Sequence, residues 1–281
     1  MKINNALFKQ KLHDQKFLIM VHRGSHGGNI IENTSEAVKV SKIQHADVVE
    51  LDISKSTDGD FFVFHDGDEK RLLDEVRNIK KLSTTEIKEK FFFNSLAEKI
   101  NFKVEEFQEL YKKIDHQTFL NIDRSWEYWE TFLPFLDQFT EMHEYFVLKS
   151  PPKREYLQLL NDHKIKYLYF PIITDLTQLE MLNEFPDLNI VGLELIETTP
   201  NLDLLKSEQV QNYRQGGYMI LANSIKLNSQ LNLFSGLDDN LALLDSPDVV
   251  WKIMLKHGVN AIQTDWPGII YEYRKKDHSN E

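Results

Sequence analysis

The chain of 281 residues contains no cysteine. That excludes a disulfide framework and any thiolate metal site, and it is compatible with a reducing compartment. Long apolar runs are also missing. Met1 to Lys16 carries no hydrophobic segment, and Phe17 to Val21 is too short for a signal peptide or a membrane span. We therefore expect a soluble, cytoplasmic protein with no stable membrane anchoring. Positive charge is scarce: 33 lysines and arginines face 44 aspartates and glutamates, a formal net charge of −11. Such a chain is a poor general binder of nucleic acid or anionic membrane, and any anionic ligand must be held by local cations. No internal repeat, low-complexity tract or linker divides the sequence, and nothing in it fixes an oligomeric state. Hydrophobic residues make up 41% of the chain, enough for a sizeable core.

What is present concentrates in residues 19 to 66. Four segments stand out there: Ile19-Met20-Val21-His22-Arg23-Gly24, Ile31-Glu32-Asn33-Thr34, Val49-Glu50-Leu51-Asp52-Ile53 and Phe61-Phe62-Val63-Phe64-His65-Asp66. The apolar runs are short and rich in Val, Ile and Phe, which reads as buried strands with polar groups at their ends. Glu50 and Asp52 are two apart, so on a strand they project to one face. Two buried carboxylates on one face repel unless a cation lies between them, and a hard divalent ion, Mg²⁺ or Ca²⁺, fits best. The alternative is a solvated pair on an edge strand. Asp58-Gly59 is a favoured two-residue hairpin turn. Centred there, it sets Thr57 against Asp60 and hence Asp52 against His65, within about 5.5 Å at Cβ.

Elsewhere, residues 5–16 read as a short polar helix on the outside. Asn33 or Thr34 caps a helix to about Ile43; Glu32 belongs either to that cap region or to the support of the site. Ser83-Thr84-Thr85-Glu86 matches a capping box opening a helix to about Phe91, and a second helix runs from Val104 to Lys113. Strand-like runs end at Asp123 and Lys149. Asp123 is a strand-end carboxylate or a helix N-cap, Lys149 a cation at a barrel strand's end or a rim lysine. Glu194 and Glu197 are equally placed around a later strand. Residues 224–247 are long enough for a lid, with Asp238 or Asp239 opening a helix. Trp266 faces either a ligand or the barrel core. The tail from Arg274 is expected to be disordered. Short apolar runs alternating with amphipathic helices predict a (β/α)8 TIM barrel, with strands ending near His22, Asp52, Asp123, Lys149, Pro171, Leu195, Asn223 and Asp265.

His-Arg-Gly, then Glu-Asn-Thr, Glu-x-Asp, Asp-Gly and His-Asp, followed far downstream by Gly258 to Pro267 with its Thr-Asp-x-Pro ending, resemble the glycerophosphodiester phosphodiesterase family over roughly residues 18 to 267. The resemblance implies one TIM-barrel domain over residues 1–281, with a small insertion at about 67–103. It implies a metal-dependent phosphodiesterase with a small-molecule phosphodiester substrate, cleaving glycerophosphodiesters to an alcohol and glycerol 3-phosphate. Glu50, Asp52 and Asp123 would hold one divalent cation, Mg²⁺ or Ca²⁺. Arg23 and Lys149 would contact the phosphate, and His22 and His65 would act as general acid and base. Five departures accompany it. Ile31 stands where the family usually has Pro before Glu-Asn-Thr, and Asp68-Glu69-Lys70-Arg71-Leu72-Leu73 where it usually has a Leu-x-Arg-Thr-Thr type segment. Asp123 stands where the family has Glu, Ser125 where it usually has Lys, and Ala222-Asn223 where it often has Trp-Thr-x-Asn. Two alternatives stay open: the same fold acting on lysophospholipid or sphingomyelin-like diesters, or a barrel that binds a glycerophosphodiester without turnover.

Overall fold

Eight of the apolar runs become eight parallel strands: β1 Leu18–Val21, β2 Val48–Lys55, β3 Phe119–Asp123, β4 Phe146–Ser150, β5 Leu168–Ile173, β6 Gly192–Leu195, β7 Met219–Asn223 and β8 Ala261–Thr264. In this computed structural model, which describes residues 3–226 and 231–276, they pair in chain order and β1 pairs with both β2 and β8. The sheet closes into a TIM barrel, as expected. A helix follows each strand on the outside, from Ser35–Ile43 after β1 to Pro267–Lys276 after β8.

Strand alternation sorts the side chains. Ile19, Val21, Val49, Leu51, Leu120 and Ile122 face outward into the helix layer. Leu18, Met20, Val48, Phe119, Val147 and Leu168 fill the barrel's lower interior. Further along the same inward rows the residues turn polar: Glu50 and Asp52 on β2, Asn121 and Asp123 on β3, Lys149 on β4, Glu194 on β6, Asn223 on β7. The interior is therefore apolar at the strands' N-terminal ends and polar at their C-terminal ends, where sites of this fold lie. Gly192 is required by the close approach of β6 and β7, since a Cβ there would lie 2.5 Å from the Cβ of Met219.

Four expectations are corrected. Helix α1, Ala6–Asp14, is not an outer ornament: Phe8 and Leu12 enter the lower interior cluster, and Phe8 meets Phe119 edge-on at 5.2 Å. Its polar composition hid two apolar residues four apart on one face. The hairpin after β2 is one residue out of the expected register. Its second arm, Phe61–Val63, pairs Ile53 with Val63, and the Phe64 amide donates to the Asp52 carbonyl. The turn spans three residues, with Gly59 at φ +100° and the Ser56 amide on the Asp60 carbonyl, so Asp52 faces Phe64 and not His65. The capping box at Ser83 and Glu86 forms, but its helix ends at Lys88. Phe91–Phe93 instead pairs with Lys99–Lys103 as a small hairpin. Finally, the last helix continues through Arg274, whose buried guanidinium binds Asp47 at 2.6 Å and the Phe17 carbonyl at 2.8 Å; residues 277–281 lie outside the described residues.

The insertion after β2 has its own small core. Leu72, Leu73, Ile79, Leu82, Ile87 and Phe92 pack on Phe62 and Phe64 of the hairpin arm. Of the expected lid, residues 227–230 lie outside the described residues. The rest contains a buried Phe234 and a helix, Asp239–Leu244, whose N-cap is Asp238, the role the sequence favoured.

Candidate active site

The adjacent rows of β2 and β3 set Asp52 beside Asp123. Glu50 joins them from below, so that one oxygen from each of the three carboxylates lies within 4.8 Å of the others. Glu50 is 1% exposed. Its Oε2 accepts the Arg23 amide at 2.8 Å, whereas Oε1 is buried with no partner. Burial, with Asp52 and Asp123 alongside, pushes the Glu50 carboxyl well above the ordinary carboxylate range. An orphaned oxygen, mutual repulsion and an all-oxygen donor set are what a hard divalent cation would relieve. The residues present fit Mg²⁺ or Ca²⁺.

Each ligand candidate is held from behind. Asn33 grips Asp52 twice, its Nδ2 donating to Oδ2 and its Oδ1 accepting the Asp52 amide, both at 2.9 Å. Asn33 sits at φ +59° to do so, and Thr34, not Asn33, caps the following helix. Asp123 accepts the Arg124 amide and meets the Lys149 ammonium at 2.7 Å. Lys149 also reaches Glu194 at 3.2 Å, and Glu194 accepts from Asn223 at 2.8 Å. Burial works against charge on Lys149, but Asp123 and Glu194 outweigh it and keep the ammonium protonated. Lys149 is thus no rim lysine: it lies inside the barrel, paired with two carboxylates.

Arg23 follows His22 in a left-handed conformation, φ +55°. Gly24 then permits contact with the next helix, where a Cβ would sit 2.8 Å from the Cβ of Ala37. The Arg23 guanidinium lies against Glu32 at 2.7 Å, Asp68 at 2.8 Å and Asp52 at 3.3 Å. Burial opposes its charge, yet Asp52 and Glu32 together raise its affinity for the proton further. Glu32 also accepts two hydrogen bonds from Arg71; burial favours its neutral form, but Arg71 and Arg23 draw its pKa down to about 2. Glu32 therefore supports the site and is not a cap.

Both histidines stand at the mouth with a carboxylate behind the ring. His22 Nδ1 donates to Asp265 Oδ1 at 3.0 Å. That leaves Nε2 as the atom able to take or give a proton. His65 Nδ1 lies 3.2 Å from Asp68, within ion-pair reach but without hydrogen-bond alignment. Asp66, next to His65, binds Arg124 at 3.0 Å and Lys80 at 3.1 Å, tying the hairpin to β3 and the insertion.

All seven sequence candidates therefore lie on one side of the barrel, five of them directly connected: Arg23, Glu50, Asp52, Asp123 and Lys149. Sequence reasoning missed Asn33 as a clamp, Asp68 and Asp265 as histidine partners, and Glu194 as the second anchor of Lys149. Ser125, where the resemblance led to a missing lysine, is buried and accepts from the Trp129 indole at 3.1 Å. Glu197 is not in the site; it holds the Thr199 and Leu205 amides. Trp266 is 48% exposed at the rim and does not cap the core.

The glycerophosphoryl diester phosphodiesterase family model matches residues 22–167, just over half the chain. A second model, described as a domain of unknown function, matches residues 169–274. No curated protein matches the sequence. Solved structures share the fold. A glycerophosphoryl diester phosphodiesterase from Parabacteroides distasonis superposes with a TM-score of 0.76 at 14% identity, covering 98% of this chain and 93% of that one. A glycerophosphodiester phosphodiesterase from Thermotoga maritima gives 0.62 at 19% identity, with 92% and 98% covered. A phosphodiesterase from Oleispira antarctica, solved with the product sn-glycerol-3-phosphate, gives 0.64 at 19% identity, with 92% and 96% covered.

Proposed function

The chain belongs to the glycerophosphoryl diester phosphodiesterase family, and from that premise we propose that it hydrolyses glycerophosphodiesters to an alcohol and glycerol 3-phosphate by metal-assisted, two-histidine acid-base chemistry. The observation that carries this reading is the convergence of Glu50, Asp52 and Asp123 around a buried, unpartnered oxygen, with His22 and His65 at the same mouth.

Glu50, Asp52 and Asp123 would hold one divalent cation, Mg²⁺ or Ca²⁺. Bound there, it would supply Lewis-acid neutralisation of the phosphoryl oxygens. Arg23 and Lys149 add positive charge on two flanks of the phosphate. Both are already paired with carboxylates, so they act as preorganised groups that need no reorientation during the reaction. One histidine takes the proton from the attacking hydroxyl, which bonds to phosphorus; where this is water, glycerol 3-phosphate forms directly, and where it is the neighbouring glycerol hydroxyl, a cyclic phosphate forms that water then opens to glycerol 3-phosphate. The bond from phosphorus to the departing alcohol oxygen breaks, and the other histidine returns a proton to that oxygen. Asp265 and Asp68 orient the two rings and stabilise the imidazolium each passes through. The insertion supplies Asp68 and Arg71, so the barrel and its insertion act as one catalytic domain.

Among the described residues no helix is long and apolar enough to cross a membrane. Together with the acidic charge and the lack of cysteine, this supports a cytoplasmic enzyme on a small soluble substrate. The test is release of glycerol 3-phosphate from glycerophosphocholine and glycerophosphoethanolamine with Mg²⁺, Ca²⁺ or EDTA. Metal-dependent release, abolished by Glu50→Ala, is the expected result. Turnover that survives EDTA and Glu50→Ala alike would rule out the metal site as drawn.

A further inference from the structure

The reaction as described leaves one buried carboxylate near the histidines unused. Asp239 is 4% exposed and opens the helix Asp239–Leu244. An acid in a helix's first turn ordinarily serves that helix. Here Asp238 does the capping, its side chain accepting the Leu241 amide at 2.9 Å. The Asp239 side chain turns instead to the end of β8. Its Oδ2 accepts the Thr264 hydroxyl at 2.8 Å and the Asp265 amide at 3.0 Å. Its own amide donates to the Ser224 carbonyl just after β7. A carboxylate is costly to bury, so two donors taken from one turn of another element call for a reason beyond the helix.

What hangs on that turn is the acid-base machinery. The Asp265 side chain is 42% exposed, and among the described residues its one hydrogen bond is to the His22 ring. No second donor fixes the carboxylate, so its place follows its backbone, and Asp239 holds that backbone at the amide. Thr264 is tied on three sides. Its hydroxyl donates to Asp239, the same oxygen accepts the Trp266 amide at 2.9 Å, and its carbonyl accepts the His22 amide at 3.3 Å. The main chain of His22 and the side chain of Asp265 are thus both referred to one buried carboxylate, whose charge strengthens the bonds it accepts. A drift of Asp265 by about 1 Å would cost the bond to Nδ1, and with it the tautomer that leaves Nε2 free for proton transfer.

We propose that Asp239 is a positioning residue for this chemistry: it holds the turn after β8 so that Asp265 keeps the His22 proton on Nδ1. The proposal deepens the phosphodiesterase reading and rests on it. Asp239→Ala removes both bonds, whereas Asp239→Asn keeps an oxygen able to accept them. With glycerophosphocholine and Mg²⁺, Asp239→Ala is expected to lower kcat at least about tenfold with KM within about twofold, and Asp239→Asn to keep at least about one third of wild-type kcat. In an Asp265→Ala background, Asp239→Ala should cost less than about twofold more, because both act through one bond.

The second readout needs no turnover. ¹⁵N spectra of histidine-labelled, substrate-free protein at alkaline pH give the His22 tautomer, assigned by its loss in His22→Gln. The Nδ1–H form is expected to dominate in wild type and Asp239→Asn and to be depleted in Asp239→Ala. A purely structural Asp239 would lower the thermal midpoint and leave the tautomer unmoved. Wild-type kcat in Asp239→Ala, equal losses in the Ala and Asn variants, or a loss that adds in full to that of Asp265→Ala overturns the positioning role. Should Asp239→Ala fail to fold, Asp239→Leu, of similar volume, takes its place. If wild type turns over neither glycerophosphocholine nor glycerophosphoethanolamine, the phosphodiesterase reading fails first and the spectra decide: a depleted Nδ1–H form retains the positioning role, and an unchanged one discards it.

Discussion

Glu50 carries more of the site's electrostatic tension than any other side chain in it. It is buried, shares a face with Asp52 and Asp123, and keeps one oxygen without a partner. Glu50→Gln preserves an acceptor for the Arg23 amide and removes the charge. In metal-free protein we expect this variant to be more stable than wild type by about 1–2 kcal/mol, because it ends a buried like-charge repulsion. A lower thermal midpoint for Glu50→Gln in EDTA would contradict that account. Asp239 gives a second prediction. Burial, only partly offset by hydrogen bonds from Ser224, Asp265 and Thr264, raises its pKa from 3.8 to about 6. The folded state therefore binds the proton more tightly than the unfolded one. This stabilisation is complete below about pH 4 and is lost as pH rises through 6, up to about 3 kcal/mol. Asp239→Asn should remove it, so the midpoint difference between variant and wild type should move in the variant's favour from pH 4 to 7. A difference flat with pH would refute it. The sequence displayed the seven candidate residues because their types and spacing are local. Their partners were invisible for a physical reason: His22 meets Asp265 across 243 positions, and only barrel closure brings them together.

The secondary-structure elements were legible where alternation was strong. Six of the eight barrel strands were readable as an apolar run ending in a polar residue, because in this barrel the inward rows change from apolar to polar along most strands. The misreadings fall where one residue decides. Asp58-Gly59 signals a tight turn but not whether Thr57 belongs to it, and that one residue moved His65 off Asp52. Phe91–Phe93 carries no period long enough to separate a strand from a helix end. An element-level prediction follows from β6. A methyl group on Gly192 would meet the backbone oxygen of Met219 at 2.6 Å and its Cβ at 2.5 Å, neither of which can swing away. Gly192→Ala must spread β6 from β7, at a cost of about 3 kcal/mol or more. We expect a fall in thermal midpoint of at least about 6 °C. A midpoint within about 1 °C of wild type would show that the two strands are free to part.

Across the whole molecule, the barrel is sealed at its lower end by α1 and charged at its upper end. The charged end gathers Glu50, Asp52, Asp123 and Glu194, with Arg23 and Lys149 ion-paired among them. Closure of the sheet imposes this crowding, since the carboxylates of β2, β3 and β6 and their counter-charges, Arg23 after β1 and Lys149 on β4, converge only in the folded state. An unfolded chain offers a divalent cation no comparable site. Binding there would be coupled to global stability: at a concentration a hundredfold above Kd, a bound cation would add about 2.7 kcal/mol to folding. For a chain of this size we expect Mg²⁺ or Ca²⁺ to raise the thermal midpoint by roughly 5–10 °C over EDTA. The whole increment should vanish in Glu50→Gln, although that variant starts from the higher metal-free midpoint. The opposite signs separate two explanations. If Glu50 were simply a strained core residue, its replacement would stabilise the protein with and without metal alike. If it is a ligand, the order of the two proteins reverses when the cation is added, and a pair of melting curves decides between them.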